Sequence, residues 1–177
     1  FGASRTMQIA QKLYQGIEIE GETIGLITYM RTDGTNLSKD AVSDFRNYIK
    51  KEIGNEYLPE NALNYSGKKA KNAQEAHEAI RPTDIVRTPQ SVKKYLSPDQ
   101  NKLYDLIWSR ALSSQMESAK FDRNTITIIS DNNDTVCKAS GSVLKFDGFL
   151  KIYNNQSKDD DESILPAVSK GPINIDA

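Results

Sequence analysis

The spacing of apolar residues changes near residue 116, and this change limits the chain to a mixed architecture. Before that point, apolar residues recur three and four positions apart, which is typical of amphipathic helices. After it, Thr125-Ile-Thr-Ile-Ile129 has the composition of a strand, and Asp131-Asn-Asn-Asp134 is a turn signal before another strand. The sequence therefore predicts an α+β fold, with a mainly helical domain over residues 1–116 and a β-rich domain over residues 117–177.

Helix boundaries in the first part are marked by residues that cap helices. One helix is expected over residues 6–15, ending at Gly16, and another between Ser38 and Gly54. A third begins at Ser97-Pro98-Asp99-Gln100, which combines a capping box with Pro at the first helical position. Their apolar faces predict a core that contains Leu13, Phe45, Ile49, Leu103, Leu106 and Ile107.

Shorter elements are predicted between and after these helices. A short helix over about residues 73–80 would have to stop before Pro82, which disfavours helical geometry in the residue that precedes it. Residues 143–153 have the composition of a further strand, interrupted at Asp147-Gly148. Residues 154–163 are polar and acidic and are expected to form a loop.

Bulk composition excludes some classes of protein and leaves others open. No apolar run approaches the roughly 20 residues that span a bilayer. The net charge of −1 does not by itself indicate a nucleic-acid partner. The single cysteine, Cys137, cannot form an internal disulfide, which fits a reducing compartment, and it is expected to fill a core position. Both ends of the chain have the character of cuts within a longer protein.

A tyrosine nucleophile is the first chemical hypothesis that the sequence offers. Ile27-Thr28-Tyr29-Met30-Arg31-Thr32-Asp33 places a tyrosine at the end of an apolar segment and an arginine two residues later. A tyrosine can act as a covalent nucleophile once its proton is removed, and a neighbouring cation favours the phenolate. Arg31 could also bind a phosphate through its planar fork of donors. Taken alone, such a tyrosine is more often an ordinary core or surface residue.

The second chemical hypothesis concerns Gln74-Glu75-Ala76-His77-Glu78-Ala79-Ile80-Arg81-Pro82-Thr83, which holds the chain's only histidine. On a helix, His77 and Arg81 would share a face, so that one could move a proton while the other binds phosphate. The alternative is a solvated helix face with an incidental histidine. A zinc site is not expected, because one cysteine and one histidine cannot complete a tetrahedral shell, and no metal ligands are predicted in the chain.

Together, the two segments are far more specific than either is alone. The string ITYMRTD, with TNLS after it and QEAHEAIRPTD downstream, resembles the catalytic region of bacterial type IA DNA topoisomerases. The helix before Tyr29, the helix around Trp108 and the segment Phe146-Asp147-Gly148-Phe149 are also similar to that family. One departure is Gly34, where many members of the family have Ser.

The resemblance implies a fold and a set of residue roles. It implies a helical catalytic domain followed by part of a β-rich arch, with Tyr29, Arg31 and His77 catalytic and with Arg81, Thr32 and Asp33 binding DNA. Mg²⁺ would be held by a Toprim domain that this chain does not contain, so the isolated piece is expected to be inactive. The implied partners are single-stranded and negatively supercoiled DNA, and the implied protein is a cytoplasmic, nucleoid-associated monomer that needs no ATP.

Two other readings of the sequence stay open. The chain could be a module that binds single-stranded DNA or a partner protein without chemistry. It could also come from a paralogous type IA enzyme, such as topoisomerase III or reverse gyrase.

Overall fold

The computed structural model describes residues 1–65, 78–130, 132, 135–153 and 171, which fall into two compact units. The first unit is Phe1–Glu117 together with Phe149–Tyr153, and the second includes Ser118–Gly148. The first unit is mainly helical and the second contains a β hairpin, so the predicted α+β fold class is confirmed. The assignment of a catalytic domain to residues 1–116 and of an arch domain to residues 117–177 stays a prediction.

The described residues of the first unit form four α-helices, and two of them begin at the predicted capping residues Ser38 and Ser97. The four helices are α1 (Ala3–Gln15), α2 (Lys39–Tyr48), α3 (Pro89–Val92) and α4 (Pro98–Ser113). The Ser38 side chain accepts a hydrogen bond from the backbone N–H of Ala41, and both bonds of the capping box between Ser97 and Gln100 are present. A π-helical turn, Ile49–Ile53, extends α2 as far as Gly54. The predicted starts at Ser38 and Ser97 and the predicted ends at Gly16 and Gly54 are confirmed. The first helix begins at Ala3, before the predicted residue 6, and α3 was not predicted.

The core of the first unit contains most of the predicted residues, but the buried face of α4 is rotated. Leu13, Phe45, Ile49 and Leu103 are buried as predicted. Leu106 is 46% exposed, so its assignment to the core was wrong, and Ile107 is only half-buried. The buried face of α4 instead carries Tyr104 and Trp108, which donate hydrogen bonds to the carbonyls of Arg87 (2.7 Å) and Ile85 (3.0 Å). Aromatic side chains that bury their rings and still satisfy their polar atoms in this way outcompete a smaller leucine for the core.

A small β hairpin, which was not predicted from the sequence, follows α1. Strands β1 (Ile17–Ile19) and β2 (Glu22–Ile24) pair antiparallel, with Ile17 opposite Ile24. The turn between them has positive φ at both Glu20 (53°) and Gly21 (89°). A two-residue turn with this geometry matches the natural twist of the strands it joins. The alternation of Ile and Glu around Glu20-Gly21 was the available signal.

The end of α1 fixes the segment that leads toward Tyr29. The backbone N–H of Leu26 donates to the Leu13 carbonyl at 2.8 Å, and Leu26 is fully buried. At Gly25 the chain passes so close to α1 that a Cβ atom would lie 2.7 Å from the Tyr14 carbonyl oxygen. Only glycine allows this approach without a backbone shift.

The second unit is built on one long antiparallel hairpin. Strand β3 (Lys120–Ile129) pairs with β4 (Val136–Phe146) from Ile129 opposite Val136 to Lys120 opposite Phe146. The separate strands predicted on either side of residue 140 are therefore a single strand. The hairpin buries little within the described residues, and Cys137 is exposed, so its assignment to a core was wrong.

After β4 the chain leaves the sheet, so the predicted strand does not continue to residue 153. Gly148 has φ of 51° and opens a 3-10 turn, Gly148–Lys151. The backbone N–H of Phe149 then donates to the Glu117 carbonyl at 2.8 Å, which returns the chain to the first unit. The predicted helix over residues 73–80 does not include residues 78–80, and its remainder lies outside the described residues, as does the predicted loop 154–163.

Replacing Gly25 tests how closely α1 and the Tyr29 segment approach. Gly25→Ala should lower the free energy of unfolding by about 1–3 kcal/mol, because the new Cβ atom forces two backbone segments apart. Gly2→Ala is the control and should cost less, since its Cβ would meet no atom within 4 Å. Thermal unfolding of the two variants measures the difference, and equal midpoints would contradict the close approach.

Candidate functional site

The two segments singled out in the sequence lie side by side. Ile27 forms an antiparallel bridge with Pro82. The backbone N–H of Thr28 donates to the Arg81 carbonyl at 2.9 Å, and that of Thr83 donates to the Leu26 carbonyl at 3.0 Å. Residues some 50 positions apart in the chain are thereby brought into register. Tyr29 is the first residue beyond the paired stretch.

Threonine hydroxyls complete this pairing. The Thr28 hydroxyl donates to the Ala79 carbonyl at 2.8 Å and accepts from the Arg81 backbone N–H at 3.0 Å. The Thr83 hydroxyl donates to the Gly25 carbonyl at 2.7 Å. Each hydroxyl satisfies a backbone group that the short pairing would otherwise leave without a partner. The residue directly before Tyr29 is therefore fixed by both its main chain and its side chain.

The Tyr29 side chain is partly exposed and is held against a second tyrosine. Its exposed fraction is 43%, and that of Tyr14 is 42%. The two ring centroids lie 5.3 Å apart with an angle of 64° between the planes, an edge-to-face contact. Tyr14 belongs to the last turn of α1, so the helix supports the ring of Tyr29 from one side.

Beyond Tyr29 the chain runs through an exposed polar loop. Arg31, Thr32 and Asp33 are all exposed. The Arg31 Nη2 atom lies 3.3 Å from the Asp33 Oδ2 atom, with side chains 53% and 45% exposed. An ion pair this open contributes little to stability, and water or a phosphate can compete for the guanidinium. Arg31 thus places a positive charge in solvent two residues from the Tyr29 phenol.

Arg81 stands in a different environment, because its guanidinium is only 15% exposed and its donors are engaged. The Nε atom donates to Glu78 Oε1 at 2.6 Å, and Nη2 donates to Glu78 Oε2 at 3.2 Å. The Nη1 atom donates to the Pro82 carbonyl at 2.9 Å. Two charge-assisted bonds between a guanidinium and one carboxylate are stronger than neutral hydrogen bonds and fix the relative orientation of the two groups.

Glu78 extends the same network to the start of α2. Its Oε1 atom accepts a hydrogen bond from the Ser38 backbone N–H at 2.9 Å, and the neighbouring Ala79 N–H donates to the Asn36 carbonyl at 2.8 Å. Burial raises the pKa of Glu78, but the hydrogen bonds from Arg81 and Ser38 and the Arg81 charge overcome this effect and hold the pKa below its ordinary value. The polar loop is thereby anchored at its far end.

Not every predicted site residue has a described place. His77 lies outside the described residues. The predicted helical face that it would share with Arg81 does not reach Arg81, because the backbone of residues 79–83 pairs with residues 25–28 instead. The sequence assigned no role to Thr28, Tyr14 or Glu78. Glu78 three residues before Arg81 was the signal that could have indicated an ion pair.

The described part of the chain has neither a metal site nor a membrane span. No group of three or more His, Cys, Asp or Glu side chains among the described residues could hold a metal ion. In the same residues, no helix combines the length and the apolar character needed to cross a membrane.

Comparison with known proteins identifies relatives along almost the whole chain. Residues 1–176 match the family model described as DNA topoisomerase. DNA topoisomerase 1 of Rickettsia typhi is 54% identical over 92% of this chain, and that of Helicobacter pylori strain 26695 is 45% identical over 99%. The structure of full-length topoisomerase I from Thermotoga maritima matches 88% of this chain with a TM-score of 0.75 and 38% identity.

The chain spans only part of these relatives: 21% of the Rickettsia typhi protein, 23% of the Helicobacter pylori protein and 24% of the Thermotoga maritima chain. The match nevertheless includes both segments that pair at Tyr29. This chain belongs to the bacterial type IA DNA topoisomerase family.

Proposed function

We propose that this chain carries the nucleophile of an enzyme that cuts one strand of DNA, passes a strand through the gap and rejoins the ends. The observation that carries the proposal is the pairing of residues 25–28 with residues 79–83, which ends at a partly exposed Tyr29 beside an exposed Arg31. A rigid support with a reactive group at its exposed end is what covalent attack on a large substrate requires. The names of the relatives supply DNA as the substrate class.

In the proposed reaction, the Tyr29 phenolic oxygen attacks a backbone phosphorus. A bond forms between that oxygen and phosphorus, and the bond from phosphorus to the 3′ oxygen of the preceding nucleotide breaks. The phenol gives up one proton and the leaving 3′ oxygen takes one up, so the products are a 5′-phosphotyrosine and a 3′ hydroxyl. Attack by the hydroxyl reverses both steps. One phosphodiester is exchanged for another, so religation needs no ATP.

Arg31 is suited to bind the phosphate during this exchange. Its guanidinium is exposed and only loosely paired with Asp33, so its planar donors can turn to the non-bridging oxygens as charge develops on them. Asp33 carries the wrong charge to contact a phosphate directly, and we assign it the orientation of Arg31. Thr32, exposed between them, can donate its hydroxyl to the DNA backbone.

Arg81 is assigned a supporting role in place of a direct contact with DNA. Its Nε, Nη1 and Nη2 atoms donate to Glu78 and Pro82, and its charge is balanced by a carboxylate. Its contribution is to hold residues 79–83 in the position that Thr28 and Tyr29 require. His77 is kept as the candidate that moves a proton or contacts DNA.

The remaining features of the activity belong to the whole protein and are part of the proposal. The described residues do not fit a magnesium ion, since Asp33 is paired with Arg31 and no acidic cluster is present among them. We place the Mg²⁺ site in a Toprim domain outside this chain. Relaxation of negative supercoils, a monomeric state and a place on the nucleoid in the cytoplasm complete the proposal.

Removing the phenolic oxygen of Tyr29 separates the enzyme from a module that only binds DNA. In the full-length protein, Tyr29→Phe should bind single-stranded DNA about as well as the unchanged protein but form no covalent complex. Trapping on a labelled oligonucleotide and denaturing electrophoresis measure the adduct. Tyr48→Phe, which also removes one phenolic oxygen and keeps its ring against Trp108, should still form it. An adduct with Tyr29→Phe would end the proposal.

Removing the Arg31 guanidinium tests its role in the reaction. Arg31→Ala should slow single-turnover cleavage by roughly a hundredfold, the effect of losing one donor to developing charge. Arg31→Lys should recover part of the rate, because it keeps the charge and loses the fork. Arg5→Ala removes a similarly exposed arginine paired with Asp99 and should leave the rate unchanged. If Arg31→Ala cleaves DNA at the original rate, a residue other than Arg31 binds the phosphate.

Neutralising Glu78 tests whether Arg81 acts as a support. Glu78→Gln should lower the free energy of unfolding at pH 7 by about 1–3 kcal/mol, since it weakens charge-assisted hydrogen bonds in a partly buried site. The folded-state pKa of Glu78 is lowered, so its contribution is complete above the unfolded pKa of about 4.3 and is lost as the pH falls through the folded value. The difference in free energy of unfolding between the variant and the unchanged chain should therefore become smaller below about pH 4.

Denaturant titration at a series of pH values measures this difference in the free energy of unfolding. Glu52→Gln is the matched control, because Glu52 pairs with Lys51 in a well-exposed position, and it should change stability by no more than about 0.5 kcal/mol. If Glu78→Gln is as mild as Glu52→Gln at pH 7, Arg81 is not held by this pair.

A further inference from the structure

A groove opens beside the start of α2, five residues along the chain from Arg31. Its volume is about 400 Å³, within the usual range of sites that hold small ligands. Aliphatic, aromatic, amide and cationic side chains all contribute to its wall. Those on which the inference depends are Asn36, Lys39, Leu63, Tyr65 and Gln115.

The base of the groove is rigid. Gln115 is fully buried, and its amide pairs with the backbone of Leu63: Nε2 donates to the Leu63 carbonyl at 2.9 Å, and Oε1 accepts from the Leu63 N–H at 3.2 Å. Both ends of the amide are thus satisfied inside the protein. Gln115 therefore holds the chain segment that carries Tyr65 in a fixed position.

Tyr65 presents a restrained aromatic ring at this groove. Its hydroxyl donates to the Ser114 carbonyl at 2.8 Å, and its own carbonyl accepts from the Thr35 hydroxyl at 3.0 Å. The residue is nevertheless 50% exposed. A large ring that is anchored at both ends and still exposed is a suitable platform for stacking of a nucleobase, because every base has a π face.

Polar groups beside the ring match the rest of a nucleotide. The Asn36 side chain makes no hydrogen bond to the described residues, and its amide offers the donor and acceptor that base edges require. Lys39 forms no ion pair with the described residues and can approach a backbone phosphate.

The position of the groove relative to Arg31 is limited by the chain itself. Five residues span at most about 18 Å when fully extended, so Asn36 lies no farther than that from Arg31. A single strand of DNA whose phosphate is bound at Arg31 can therefore reach the groove within a few nucleotides.

We propose that this groove binds one unpaired base of the cleaved DNA strand, with Tyr65 stacking on the base and Asn36 contacting its edge. The proposal rests on the proposed function, which places the scissile phosphate at Tyr29 and Arg31. It makes the groove a determinant of where along a sequence the enzyme cuts.

Binding of oligonucleotides with a single missing base tests the groove. The protein is the full-length Tyr29→Phe variant, so that the readout is affinity alone, and an abasic site is moved one nucleotide at a time along the strand. At one position the missing base should weaken binding about five- to a hundredfold, the usual range for loss of one stacked base. Tyr65→Ala should lose a similar factor with the intact strand and become insensitive to the abasic site there.

Control variants separate stacking from general damage. Tyr65→Phe keeps the ring and should keep the response to the abasic site. Phe121→Ala removes an aromatic side chain of the same exposed fraction, 50%, from β3 and should leave the abasic profile unchanged. The proposal would be overturned if Tyr65→Ala left the dependence of affinity on the position of the abasic site unchanged. It would also be overturned if the variant lost the same factor of affinity for every oligonucleotide.

A second variant covers the case in which Tyr65→Ala fails to fold. The affinity of Asn36→Ala is measured with each of the four bases at the sensitive position, and the differences in affinity among the four bases should become smaller. Unchanged differences would overturn the proposed contact between Asn36 and the base edge. The adduct assay on the protein with Tyr29 intact is independent of these measurements. Absence of the adduct with a retained abasic response would refute the proposed function alone.

Discussion

Backbone pairing between residues 25–28 and residues 79–83 is the constraint on which the candidate site depends. It joins two segments that the sequence separates by some 50 residues, and Thr28 reinforces it with a hydroxyl that both donates and accepts. On one side the same segment is tied to α1 through the Leu13 carbonyl. Tyr29 emerges where this support ends, so its position is set by interactions that leave its ring partly exposed.

Two arginines near this pairing show how surroundings give one residue type two roles. Arg31 is more than half exposed and meets Asp33 across 3.3 Å, whereas Arg81 is largely buried and bound by both oxygens of Glu78. Water screens the first pair, so its guanidinium can exchange partners. The second pair is shielded, and breaking it would leave a buried charge without compensation. The exposed Arg31 can thus exchange partners, whereas the largely buried Arg81 keeps the partners that hold it in place.

Local signals in the sequence were sufficient for much of this architecture. Ser38 and Ser97 marked helix starts because a capping side chain acts on backbone groups only two or three residues away. The β1–β2 hairpin also had such a signal in Glu20-Gly21, although it was missed. Tyr29 and Arg31 could be named as candidates from the motif that contains them, and the comparisons confirmed the family to which that motif belongs.

The sequence by itself determined the fold class, the starts of α2 and α4 and the family, because these follow from spacing and from short motifs. Only the tertiary structure decided which partners distant residues find. It paired residues 25–28 with residues 79–83, turned Tyr104 and Trp108 into the core in place of Leu106, and built a groove around Tyr65. Each of these outcomes depends on contacts between segments that are far apart in the sequence and meet only in the folded chain. A short sequence pattern reports on neighbouring residues, so it cannot indicate such contacts.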